Sequence, residues 1–199
     1  MSTIVWATPL YEFLRHCQNM PIDRSVLDCG AGGTDPPLQL FHEHGFATCG
    51  VDIQAEAVAQ AQAFCRQRGM ALNIIHGDMR HLPFAAASFG CVYSFNAIFF
   101  MTKPDVALSI REMERVLKPG GLCYVNFKST DTPDDQPFQE NSYPRRLLGS
   151  TRFSHHTEAE ADAHFGAFVV LRKLRSIEDK RVHDAVVRQT HIEYIVRKP

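Results

Sequence analysis

The chain has 199 residues, 45% of them apolar and 22% charged, and its 21 lysines and arginines nearly cancel 22 aspartates and glutamates. At roughly 100 to 200 residues per domain this is one compact domain, and the charge balance excludes a disordered chain and a globally basic nucleic-acid binder. Six cysteines without a CxxC pair exclude a zinc ribbon or thioredoxin-like site and read as reduced, mostly buried hydrophobes; with no signal-peptide pattern and no apolar window of about 18 residues, the expectation is a cytoplasmic protein without a membrane span.

In chain order, residues 1–24 hold Trp6, Leu10, Tyr11, Phe13 and Leu14, with Tyr11, Leu14 and Cys17 on one helical face. The segment reads either as a packing helix or as a helical lid over a substrate. Ser25-Val26-Leu27-Asp28-Cys29 is a short apolar run ending in Gly30-Ala31-Gly32-Gly33, the pattern of a buried strand entering a tight turn. A helix over 36–44 follows, with Asp35 as its N-cap, Pro36 in the first helical position and Gly45 just past the end. Residues 47–52 form the next strand, and the Ala-rich 54–68 a helix that stops at Gly69.

A third strand over 72–75, a polar loop over 77–90 and a fourth strand over 91–95 continue the alternation. Over 104–117, Val106, Ile110, Met113 and Leu117 recur at helical spacing, and Lys118-Pro119-Gly120-Gly121 ends that helix. A fifth strand spans 122–127. Residues 128–156, with Pro133, Pro137, Pro144 and the pair Arg145-Arg146, read as a long loop of the functional kind on the substrate side. Thr157 and Glu160 form a capping-box pattern for a helix to about Phe165. Residues 168–174 and 191–196 close the chain as an antiparallel pair at one sheet edge, joined by a charged, solvated connection over 172–188. Strands that are apolar throughout, alternating with helices, predict a doubly wound α/β sandwich with helices on both faces of a parallel sheet.

In an open α/β sheet, ligands bind beyond the carboxyl ends of the strands. Those ends supply four pieces here. Gly30 and Gly32 let a ligand approach the backbone with no Cβ in the way. Asp52 ends the second strand at the distance where a carboxylate accepts from ribose hydroxyls. Asp78 and Met79 follow the third strand, and Ser94-Phe95-Asn96 ends the fourth.

Through these residues, Arg80-His81-Leu82-Pro83-Phe84, Ser88-Phe89 and Leu117-Lys118-Pro119-Gly120-Gly121, residues 26–127 resemble the class I S-adenosylmethionine-dependent methyltransferases, and among them the small-molecule methyltransferase type 11 family. The resemblance implies a three-layer Rossmann-like sandwich with a mostly parallel seven-stranded sheet and one antiparallel edge strand. It divides the single domain into a cofactor-binding core over 25–127, the substrate-side loop, and a C-terminal helix and strand pair over 157–199. It also implies S-adenosyl-L-methionine as cofactor. Asp28 and the Gly30, Ala31 and Gly32 backbone would hold its methionine part, Asp52 and Ile53 the ribose side, Asp78 the adenine amino group and Met79 the ring, while Phe95 or Asn96 would line the methyl channel. The chain departs from the family pattern at Thr34, in place of a third glycine, at Gly90, in place of an acid, and at Pro36-Pro37.

A nicotinamide-binding domain is the nearest competitor, but its pyrophosphate needs a glycine where this chain has Asp35. A phosphate-free sulfonium tolerates that carboxylate. The implied reaction is in-line methyl transfer to a small-molecule acceptor; a cofactor-binding sensor or partner subunit without turnover is the alternative. The catalytic base is unassigned, with His155, His156 and Tyr143 as candidates that also read as solvated loop residues. Asp131, Asp134, Asp135 and Glu140 read as a solvated loop in preference to a Mg²⁺ site. The basic stretch of Arg172, Lys173, Arg175, Lys180 and Arg181 lacks interleaved aromatics, so nucleic acid is not the expected substrate. Oligomeric state and acceptor identity are not legible.

Overall fold

The computed structural model describes residues 8–131, 154–182 and 185–199. Helix α1 (Thr8–Asn19) leads into β1 (Ser25–Cys29), α2 (Leu38–Glu43), β2 (Ala47–Asp52), α3 (Ala55–Arg68), β3 (Ile74–His76), β4 (Phe89–Ser94) and a 3-10 turn (Ile98–Phe100). Then come α4 (Lys103–Val116), β5 (Leu117–Ser129), β6 (His155–His156), a helix numbered α5 (Glu158–Ala163), β7 (Val169–Val182) and β8 (Ala185–Arg197). The sheet order is β3-β2-β1-β4-β5-β8-β7, with β6 beside the end of β5. Strands β1 to β5 run parallel, and β8 runs against both β5 and β7. The reversed strand therefore lies one place in from the edge, and β6 is an eighth strand beyond the seven expected.

Alternate residues of each strand feed two cores. Leu27, Val92, Val125, Phe127 and Ile192 pack with Ile110 and Met113 of α4 and Ala161 of α5. Val26, Tyr93, Tyr124 and Ile195 pack on the other face with α1, α2 and α3. There the buried residues of α1 are Leu10, Phe13, Leu14 and Cys17, while Tyr11 is 41% exposed, so the apolar stripe is rotated from the one read in the sequence. The Phe13 ring sits 5.9, 6.1 and 5.8 Å from Phe41, Tyr93 and Tyr124, and removing such a ring from water contributes roughly 2 to 3 kcal/mol.

Several expected boundaries shift for identifiable reasons. Asp35 does not cap α2: the two prolines, which have no N–H to satisfy, form its first turn, with the Gln39 and Leu40 N–H groups donating to the Pro36 and Pro37 carbonyls at 3.1 and 3.0 Å. Helix α4 ends at Val116, and Leu117 to Gly121 belong to β5 as a bulge opposite Phe89 and Cys91, with Gly120 at φ +75°. Lys128 and Ser129 continue β5, with β6 taking the flank that β4 vacates, so both ends of the segment read as a long loop are strand, and its residues 132–153 lie outside the described residues. Residues 172–182 are strand rather than connection. A charged strand suits a sheet edge, and three of its cations pair locally, Arg172 with Glu12, Lys173 with Glu158 and Asp162, and Arg175 with Asp131. The predicted capping box at Thr157 and Glu160 is present. Among the described residues, no helix is long and apolar enough to cross a membrane.

Candidate cofactor-binding site

The carboxyl ends of β1 to β4 surround a cavity of about 450 Å³ whose walls include Gly30, Gly32, Asp52, Ile53, Asp78, Met79 and Asn96. Its floor is backbone. Gly30 has φ +111°, and a Cβ there would lie 2.3 Å from the Ala97 Cβ. At Gly32 a Cβ would lie 2.5 Å from the Ala57 Cβ and 2.7 Å from Asp52 Oδ2. Only glycine leaves this floor open.

Asp52 is oriented by main chain: the Gly32 N–H donates to Oδ2 and the Gln54 N–H to Oδ1, each at 2.9 Å. Burial raises its carboxyl above the usual range, and the two N–H groups and the nearby His76 oppose that rise. Each oxygen keeps a further acceptor site for a ligand hydroxyl.

Burial would also raise Asp78, but the Arg80 guanidinium outweighs it and holds the carboxyl low. Arg80 Nε and Nη2 grip Asp78 Oδ2 at 2.9 and 2.7 Å, and Nη1 reaches Asp105 at 3.2 Å. Arg80 thus fixes the orientation of Asp78, a role the sequence did not reveal. The loop is further tied to α4, where Glu112 accepts from the Leu82 N–H at 2.8 Å and Arg115 donates to the Leu82 and Phe84 carbonyls at 3.0 and 2.8 Å.

Asn96 borders the cavity in the left-handed region, at φ +54°. Its N–H donates to Asn126 Oδ1 at 2.8 Å, and Asn126 Nδ2 donates to Asn96 Oδ1 at 2.7 Å. This reciprocal pair stabilises a backbone conformation that a non-glycine residue otherwise disfavours.

The structure does not bring every expected residue to the wall. Ala31 is buried beneath the floor, its N–H donating to the Val51 carbonyl at 3.0 Å. Phe95 packs toward Tyr124, ring centroids 6.3 Å apart, and does not border the cavity. His156 is buried against the rings of Phe127 and His164, at 4.9 and 5.6 Å; burial, with His164 and Lys103 nearby, pushes it down to about 4, so it packs as a neutral ring. His155 also lies away from the cavity wall. Tyr143, Asp134, Asp135 and Glu140 lie outside the described residues, and Asp131 pairs with Arg175 at 2.9 Å. The wall residues Gln60, Phe100 and Met101 were missed. Gln60 had a signal, being one helical turn from Glu56 on the helix that follows Asp52; the 3-10 turn carrying Phe100 had none.

Asp28 stands behind the floor, 1% exposed, with Oδ2 lacking a hydrogen-bond partner among the described residues. Burial pushes its carboxyl up to about 8; the Tyr93 hydroxyl opposes this and the Asp52 charge adds to it. The folded state therefore keeps a proton that the unfolded chain releases near pH 4. Its stabilising contribution is complete below about pH 4 and is lost as the pH rises to about 8. Chemical denaturation at pH 5 and pH 8.5 should show wild type losing roughly 2 to 4 kcal/mol more than Asp28→Asn across that interval.

A doubly wound parallel sheet with one reversed strand next to its edge, a glycine-rich turn after β1 and acids at the ends of β2 and β3 define a class I methyltransferase. Residues 27–125 match the methyltransferase domain family, and the chain belongs to it. A sterol 24-C-methyltransferase of Gibberella zeae is 28% identical over 132 residues, 65% of this chain and 34% of that protein. The ubiquinone/menaquinone biosynthesis C-methyltransferase UbiE of Bdellovibrio bacteriovorus is 32% identical over 102 residues, 50% of this chain and 42% of that protein. The chain spans less than half the length of these curated relatives. Among solved structures, an S-adenosylmethionine-dependent methyltransferase from Clostridium acetobutylicum shares the fold with a TM-score of 0.68 at 15% identity, over 98% of this chain and 92% of that one.

S-adenosylmethionine is the cofactor that family membership implies. The residues present fit it. The glycine floor excludes no backbone approach, Asp52 is aimed and still has acceptor capacity, Met79 offers an apolar wall, and the cavity volume is in the range of ordinary cofactor sites.

Proposed function

We propose that this protein transfers the methyl group of S-adenosylmethionine to a small-molecule acceptor. The observation that carries this reading is the Gly32–Asp52 bond: one contact makes the turn after β1 and the acid after β2 a single cradle. In it, Asp52 and Ile53 receive the ribose side, Asp78 and Met79 the adenine, and the Gly30 to Gly32 backbone with Asp28 behind it the methionine part. Asn96 borders the donor end. When bound, the cofactor supplies a sulfonium methyl for in-line displacement. What the protein adds is alignment, which contributes up to about 7 to 11 kcal/mol in well-oriented reactions. No described side chain is assigned as base.

A small acceptor is supported by the relatives named for sterol and quinone methylation. The six cysteines are free and four of them buried, as a reducing compartment leaves them, which supports a cytoplasmic location.

The test is thermal shift followed by transfer. S-adenosylhomocysteine at 100 times its Kd should stabilise the protein by about 2.7 kcal/mol, and NAD should not. Incubation with methyl-labelled S-adenosylmethionine and a metabolite extract should then yield a labelled small molecule. No shift with either sulfur compound overturns the reading; a shift without label in any extract favours a sensor.

A further inference from the structure

Asp78 borders the cavity from the loop after β3, where residues 78–81 form one turn, the His81 N–H donating to the Asp78 carbonyl at 3.0 Å. A carboxylate on such a turn has rotamers to choose from, and the choice here is made from a helix. Arg80 grips Asp78 and reaches Asp105 Oδ1 with Nη1 at 3.2 Å. Asp105 Oδ2 in turn accepts from the hydroxyl of Thr102, the N-cap of α4, at 2.9 Å. An acid in a first helical turn is favoured by the helix dipole, so Asp105 is a fixed post and Arg80 the strut that runs from it. Neither borders the cavity, whereas Phe100 and Met101, which lead into the Thr102 cap, do. The strut therefore ties together two segments of the wall. All three charged side chains are less than a third exposed, where salt screens an ion pair less than at an open surface.

The acceptor capacity left on Asp78 can be counted. A carboxylate offers about four lone-pair sites. Arg80 brings three N–H groups to them: its backbone N–H to Oδ1 at 2.9 Å, Nε to Oδ1 and Oδ2 at 3.0 and 2.9 Å, and Nη2 to Oδ2 at 2.7 Å. That leaves room for one further donor. Two carboxylates against one guanidinium also leave the spot negative, so it favours a ligand N–H over a ligand edge that has none.

We propose that Arg80 is the positioning residue for base selection: held from α4, it fixes Asp78 with one acceptor site open on the cavity wall, and that site selects a purine bearing an exocyclic amino group. The proposal rests on the cofactor reading of the cavity. The probes are S-adenosylhomocysteine and its 6-deamino analogue, in which hydrogen replaces the purine amino group, each titrated by calorimetry at pH 7. Wild type should bind the amino compound at least about tenfold more tightly, the scale of one hydrogen bond to a charged acceptor. Arg80→Met should reduce that preference to less than about threefold. Arg80→Lys, which keeps the charge but not the planar fork, should fall between the two and serves if Arg80→Met does not fold. Asp105→Asn, which weakens the far end of the strut, should lower the preference by up to about threefold. A purely structural loss would weaken both compounds equally and leave their ratio unchanged. A wild-type preference below about threefold, or one undiminished in the Arg80 variants, overturns the proposal. Failure of both compounds to bind wild type would instead strike the cofactor reading, and the proposal with it.

Discussion

Asp52→Ala should weaken S-adenosylhomocysteine binding about 10- to 150-fold, the equivalent of losing charge-assisted hydrogen bonds on the order of 1.5 to 3 kcal/mol. The argument is geometric. Both oxygens of Asp52 are already held by backbone N–H groups of Gly32 and Gln54, so the carboxylate reaches a ligand without having to be ordered first, and little entropy offsets its contribution. Truncation removes the carboxylate proposed to accept from the ribose and also leaves two N–H groups facing the cavity, where only water can satisfy them. Asp52→Asn should fall between, because the amide oxygen still accepts but carries no charge. Calorimetry at pH 7 reads the effect; an unchanged Kd in Asp52→Ala would mean that the cradle holds no nucleoside.

Gly90→Ala should be the most destabilising single methyl in the sheet. A Cβ at that position would lie 1.9 Å from the Asp23 carbonyl oxygen and 2.7 Å from its carbon, backbone atoms with no rotamer to yield. The Gly90 N–H also donates to Ser25 Oγ at 2.9 Å, so β4 cannot shift away without breaking that bond. Overpacking of this kind costs about 3 kcal/mol or more, which for a domain of this size lowers Tm by roughly 6 to 12 °C. Gly166→Ala is the control, since nothing lies within 4 Å of its added Cβ, and it should be nearly neutral. Equal Tm values for the two variants would refute the close approach.

The same glycine explains how the sequence could be read and where it could not. At position 90 the family resemblance leads one to expect an acid; the approach of residue 23, which no local pattern encodes, forbids any side chain. Short apolar runs ending in glycine or acid made β1, β2 and the cradle of Gly30, Gly32, Asp52 and Asp78 legible, because each signal lies within a few residues. Asn126 was hidden inside an apolar strand, since its partner Asn96 is 30 residues away. Asp28 looked like a cavity residue by its place before the glycines, yet its register partner on β4 is Tyr93, so it projects from the sheet face beneath the turn. The bulge in β5 was disguised by a Pro-Gly-Gly sequence that also serves to end helices. Lys128 was lost to a loop because proline and charge downstream outweighed one more pair of strand residues.

Asn126 stands within β5, and through it the rim residue Asn96 is fastened to a central strand of the sheet. That edge of the cleft therefore inherits the stiffness of the sheet, and the surrounding connections can lengthen or shorten without displacing it.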